Sequence, residues 1–90
     1  MCEKILIIED EKKMQEIIKE FLVEYGYLVD CADDGLDGLS MFHQSAYDLI
    51  ILDVMMPKID GFAVLELIRK ESDVPVIMLT ALKIQFYIFH

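Results

Sequence analysis

Cysteine is scarce in this 90-residue chain: Cys2 and Cys31 are the only two, and they form no CxxC pair. A disulfide framework needs more, and with no secretory leader visible the two read as free thiols in a reducing compartment. A soft-metal centre would also want further Cys or His nearby, whereas His43 and His90 stand alone and read as surface residues. Basic residues are few, eight against seventeen acidic, for a net charge of −9. That balance disfavours direct nucleic-acid binding, which needs a basic footprint to displace counterions. An acidic surface suits a basic protein partner, a bound cation or simple solubility. No long apolar run is present, since the one beginning at Leu49 is stopped by Asp53, so no segment spans a bilayer. A cytoplasmic protein is expected. Repeats and low-complexity stretches are absent as well.

What is present is apolar content, 56% of the residues, enough for one small packed domain. Lys4–Ile8 (KILII) reads as a β-branched strand that stops at Glu9, Asp10 and Glu11. Met14, Ile17, Ile18, Phe21, Leu22 and Tyr25 recur at helical steps, and Gly26 stands where a left-handed residue closes a helix. Tyr27–Cys31 is a weaker strand, interrupted by Asp30. Asp33-Asp34-Gly35 can start a second helix with the stripe Leu36, Leu39, Phe42 and Ala46. Asp48–Asp53 (DLIILD) has the continuous apolarity of a strand covered on both faces. Ile59-Asp60-Gly61 leads into a third helix with Phe62, Leu65 and Ile68 aligned, and Pro75–Leu79 (PVIML) is a fourth strand. Strands alternating with helices of this length imply βαβ crossovers and a parallel α/β sheet.

In such a sheet, ligands sit beyond the carboxyl ends of the strands. Those ends carry Glu9 and Asp10 after the first strand, Asp53 after the third and Thr80 after the fourth. Carboxylates brought together in this way repel unless something neutralises them. Oxygen ligands suit a hard cation such as Mg²⁺, which would also offset charge in a phosphoryl transfer.

Glu9-Asp10-Glu11 after the first strand, the LIILDVMMPKIDG block and VIMLTA at the fourth strand resemble the receiver domain of two-component response regulators. The likeness runs from Glu3 to Ala81, and the block around Asp53 is its most specific part. The wording from Asp53 to Gly61 is similar to regulators in which a winged-helix DNA-binding domain follows the receiver. The resemblance implies a flavodoxin-like sheet of order 2-1-3-4, here stopping short of the family's fifth strand. It implies that Asp53 accepts a phosphoryl group from a sensor histidine kinase phosphohistidine, as a switch in a phosphorelay. Asp10 would ligate Mg²⁺ directly, Glu9 would act through water, Asp53 and the main-chain carbonyl of Met55 would complete the protein ligands, and Thr80 would be the switch hydroxyl. Pro57 and Gly61 would shape the loop leaving the acceptor strand. Such a module is a phosphoacceptor and not an enzyme, beyond its own phosphorylation and dephosphorylation.

Each site residue also has a plainer reading: Asp53 as a strand terminator, Asp10 as a helix N-cap, Thr80 as a strand-end hydroxyl. A phosphatase of the haloacid-dehalogenase type would want Asp-x-Asp, and position 55 is Met. A flavodoxin-like flavin protein would need a phosphate-cradling loop where Glu9-Asp10-Glu11 stands. The carboxyl end departs from the family pattern. After the Thr-Ala step the family has a helix, a fifth strand ending in Lys-Pro, and a last helix; Lys83 lies too near Thr80 to be that lysine. Residues 1–82 are therefore expected to form a partial receiver domain and residues 83–90 an atypical apolar tail. That tail follows the fourth strand too closely for a parallel crossover. It is left to fold back antiparallel, continue as a short helix, or pair with a second chain. With strand four taken as an open edge, a homodimer exchanging tails is expected. A truncated, inactive fragment held together by self-association is the alternative function.

Overall fold

The computed structural model describes residues 2–79 and 84–87, the last four through their backbone. The elements are β1 (Lys4–Ile8), α1 (Lys12–Glu24), β2 (Leu28–Ala32), α2 (Gly35–Gln44), β3 (Leu49–Asp53), α3 (Gly61–Arg69), β4 (Val76–Leu79) and β5 (Ile84–Tyr87). They form one sheet of order β2-β1-β3-β4-β5. The pairs β1–β2, β1–β3 and β3–β4 are parallel, with Ile5 opposite Val29 and Leu49, and Ile51 opposite Ile77. The parallel α/β class is as the alternation of elements implies, and the order 2-1-3-4 as the family resemblance implies.

Successive strand residues face opposite sides of a sheet, and β1 divides its side chains accordingly. Leu6 and Ile8, with Ile50, Leu52, Val76 and Met78, pack under α2 and α3 through Leu39, Phe42, Val64 and Ile68. Ile5, Ile7 and Ile51 face the other side, under Ile18 and Leu22 of α1. Both sets are at most 7% exposed, which is why β1 and β3 read as continuous apolar runs. Burying one such aliphatic side chain stabilises by roughly 1.5–3 kcal/mol, so each sheet face has its own contribution to stability.

Only part of the stripe expected from periodicity on helix α1 is covered. Ile18 and Leu22 face the sheet and Gln15 is buried, while Met14, Ile17, Phe21 and Tyr25 are 38–70% exposed. Gly26 closes the helix with φ 93° and donates its N–H to the Val23 carbonyl at 2.9 Å, the left-handed ending that glycine adopts without a Cβ penalty. Helices α2 and α3 are capped by Asp34 and Asp60, whose carboxylates accept from Asp37 N–H and Ala63 N–H at 2.8 and 2.9 Å. No helix among the described residues is long and apolar enough to cross a membrane.

The far edge corrects one expectation. β4 is not open: β5 pairs with it antiparallel, Val76 opposite Tyr87 and Leu79 opposite Ile84. A parallel neighbour would need a crossover, but an antiparallel one needs only a short link. The backbone groups that a second chain was expected to satisfy are thus met from within this one, and tail exchange is not required to close that edge.

Candidate carboxylate site

The carboxyl ends of β1 and β3 are adjacent because those strands pair directly, Ile8 opposite Leu52. The residues that follow, Glu9 and Asp10 on one strand and Asp53 on the other, therefore meet. One carboxylate oxygen from each lies within 4.8 Å of the others. Glu9 is buried, at 6% exposure, Asp53 is half-buried and Asp10 exposed. Among the described residues no lysine or arginine pairs with any of the three; the ion pairs formed are Lys4–Asp30, Lys12–Asp33, His43–Glu71 and Lys58–Asp34.

Two hydrogen bonds orient the carboxylates from their own loops. Glu11 N–H donates to Glu9 Oε2 at 3.1 Å, and Met55 N–H donates to Asp53 Oδ1 at 3.2 Å. Neither offsets the cost of the concentrated charge. Burial, helped by the Asp53 charge, pushes the Glu9 carboxyl up to about 7 from an ordinary 4.5. Asp53 is also raised, first by burial and then by the charge of Asp10. Carboxylates crowded together and partly buried in this way favour a neutralising cation.

The consequence for stability has a definite sign. The folded chain holds the Glu9 proton to about 7, the unfolded chain only to about 4.5. Stability from this group is therefore full below about 4.5 and falls as pH rises through about 7. Asp33 and Asp34 are shifted down, by Lys12 and by the Asp37 N–H respectively, so their opposite dependence lies below 3.8. Urea unfolding without divalent metal should give a midpoint that declines across the Glu9 window, and Glu9→Gln should flatten it. A midpoint that rises across that window in the parent would contradict the assignment.

The loop leaving β3 is fixed by backbone geometry. Gly61 N–H donates to the Val54 carbonyl at 2.9 Å, and Ile59 N–H to the Pro57 carbonyl at 2.8 Å. Lys58 takes φ 72°, unusual for a residue with a side chain, and its ammonium reaches Asp34 at 3.2 Å. This ties the β3–α3 loop to the start of α2. A Cβ on Gly61 would lie 2.3 Å from the Asp53 carbonyl oxygen and 2.8 Å from Val54 Cα, so the loop's return against β3 requires glycine.

Of the residues singled out from sequence, Glu9, Asp10 and Asp53 come together. Met55 stands in the same loop with its N–H on Asp53, and its side chain is 75% exposed. Thr80 lies outside the described residues, as does Lys83. The plainer reading of Asp10 does not hold: the N-cap position of α1 is Glu11, without a side-chain cap. Sequence reasoning missed Gln15, whose polarity in an apolar helical pattern was the available signal, and Lys58, for which periodicity offers none.

Comparison with known proteins bears on this arrangement. The family model of the response regulator receiver domain matches residues 5–89. The probable transcriptional regulator ycf27 of Guillardia theta is 52% identical over 80 residues, covering 89% of this chain and 32% of its own length. The chain thus spans about a third of the length of the curated relatives it matches. Among solved structures, response regulator protein TrrA from Thermotoga maritima in complex with Mg²⁺-BeF superposes with a TM-score of 0.84 at 44% identity, covering 88% of this chain and 70% of that one. A structure of histidine kinase ThkA in complex with TrrA gives a TM-score of 0.84 at 43% identity, covering 90% and 71%.

Proposed function

The chain belongs to the response regulator receiver family, and from that membership we propose that Asp53 is its phosphoacceptor, served by a sensor histidine kinase. The observation that carries this reading is the convergence of Glu9, Asp10 and Asp53 within 4.8 Å, with no lysine or arginine paired to them among the described residues. In the proposed step an Asp53 carboxylate oxygen attacks the phosphorus of a kinase phosphohistidine. A P–O bond forms, the P–N bond breaks with its electron pair left on the ring nitrogen, and the kinase histidine leaves as neutral imidazole. The product is an aspartyl phosphate, and the module's work is to exist in two states, with no turnover beyond its own phosphorylation and dephosphorylation. The TrrA complex with a histidine kinase supports the partner class.

The donor set fits Mg²⁺. Three carboxylates supply hard oxygen ligands, and the raised Glu9 and Asp53 protons mark charge that a divalent cation would relieve. We assign Asp10 and Asp53 as direct ligands, Glu9 through water, and the Met55 carbonyl as a further ligand. When bound, the ion offsets the charge of the incoming phosphoryl oxygens. Thr80 is assigned as the hydroxyl that bonds the new phosphoryl group. The net charge of −9 argues for a protein partner and against direct nucleic-acid binding by these residues, in a cytoplasmic setting.

Mg²⁺ should raise the melting temperature. At ten times its dissociation constant a ligand of the folded state adds about 1.4 kcal/mol, several degrees for a domain of this size. Beryllofluoride, which mimics a phosphoryl group on a carboxylate, should add a further increase only when Mg²⁺ is present. Differential scanning calorimetry reads both, and a curve unmoved by saturating Mg²⁺ would remove the metal from the proposal.

A further inference from the structure

Among the described residues Gln15 is, with Glu9, one of two buried polar residues, at 5% exposure. An amide taken out of water costs free energy unless its hydrogen bonds are replaced, so its partners show what the burial achieves. Its Nε2 donates to the Glu9 carbonyl, to the Ala32 carbonyl at 3.3 Å and to Asp33 Oδ1 at 2.9 Å. These acceptors come from the loop after β1, the end of β2 and the loop after β2. One side chain on α1 thus ties the loop after β1 to the end of β2 and the residue that follows it.

The contact with Glu9 bears on geometry beyond Glu9. The carbonyl of Glu9 and the N–H of Asp10 lie in one rigid peptide plane. Holding that carbonyl sets the direction in which Asp10 leaves the strand. The other side of Glu9 is held too, because its N–H donates to the Ala32 carbonyl at 3.1 Å. Ala32 O therefore accepts from both the Glu9 backbone and Gln15. Glu9 is fixed at its N–H, its carbonyl and, through Glu11 N–H, its carboxylate. Asp33, the third acceptor, is itself held by Lys12 at 2.8 Å.

We propose that Gln15 is a positioning residue of the carboxylate site, its amide orienting the Glu9–Asp10 peptide so that both acids meet Asp53, and that cation affinity depends on it. This rests on the reading of Glu9, Asp10 and Asp53 as a Mg²⁺ site. Partners that orient metal ligands without touching the ion commonly govern affinity by tenfold or more.

The test is Mg²⁺ titration of the full chain by isothermal calorimetry, in the parent and in Gln15→Met, which keeps the stem length and removes the donors. Affinity is expected to fall by about tenfold. Ile68→Val, a core truncation on the opposite sheet face, serves as the control for general loss of stability and should bind Mg²⁺ as the parent does. The parent itself supplies a measurement that needs no variant to fold. In ¹⁵N-resolved NMR the Gln15 side-chain amide should shift during the titration with the same midpoint as the Glu9–Glu11 backbone amides. A parent that binds no Mg²⁺ would overturn the metal site itself. A parent that binds, with Gln15→Met unchanged in affinity or the Gln15 amide unmoved at saturation, would overturn the role of Gln15 alone.

Discussion

Asp53→Asn is expected to abolish covalent labelling by acetyl phosphate in the presence of Mg²⁺, while the chain stays folded. The amide is close in size to the carboxylate, so the packing of β3 beneath it, Ile50 to Leu52, is left as it is. What is lost is the nucleophile: an amide oxygen does not form a stable acyl phosphate. The electrostatic effect has the opposite sign from the functional one. Burial and then neighbouring charge raise the Asp53 proton, and the Asp53 charge is among the causes that raise Glu9. Deleting it removes repulsion inside a cluster of three carboxylates, so the metal-free melting temperature should rise. Intact-mass spectrometry reads the labelling and calorimetry the stability. Labelling equal to the parent would place the acceptor elsewhere.

Gly61→Ala should be the most damaging single methyl in the chain. The added Cβ would lie 2.3 Å from the Asp53 carbonyl oxygen and 2.8 Å from Val54 Cα, both backbone atoms. A side-chain end can swing away from such a clash; a strand end cannot. The 2.9 Å bond from Gly61 N–H to the Val54 carbonyl holds the two segments at that separation. We expect a loss of about 2–4 kcal/mol, and a weaker Mg²⁺ response because the displaced backbone belongs to Asp53. Gly26→Ala is the useful contrast. Gly26 has φ 93° but nothing within 4 Å of its would-be Cβ, so only backbone strain of about 1 kcal/mol is at stake. Urea unfolding of the two variants separates close approach from conformational strain. Equal losses would mean that the β3 contact is not what requires glycine at position 61.

The strands and the acids at their ends were legible in sequence for one physical reason. A parallel strand covered on both faces must be apolar throughout, so the first hydrophilic residues mark where it leaves the core. Glu9 after β1 and Asp53 at the end of β3 are such residues, and pairing of those two strands brings them together. How much of the α1 stripe is covered was less legible. A stripe from Met14 to Tyr25 shows that α1 has an apolar side, but Ile18 and Leu22 rather than Phe21 and Tyr25 meet the sheet. Apolar residues here extend past the contact, and periodicity cannot tell the middle of a broad stripe from its margin. Gln15 was hidden for the same reason, its role being set by acceptors from two other segments. The edge was misjudged because strand four was treated as having only parallel partners, although an antiparallel return was one of the routes left open.

That return gives the chain an uneven order of assembly in time. The pairing of Ile5 with Leu49 joins residues 44 apart, and that of Ile50 with Val76 joins residues 26 apart. Leu79 and Ile84, by contrast, are five apart. Closing a short segment costs less chain entropy than closing a long one, and local pairings are the fast ones. The β4–β5 pairing therefore has the shortest loop of the sheet to close. Registering β1 against β3, the step that brings Glu9, Asp10 and Asp53 within reach of one another, has the longest loop to close and belongs to the slow end of folding.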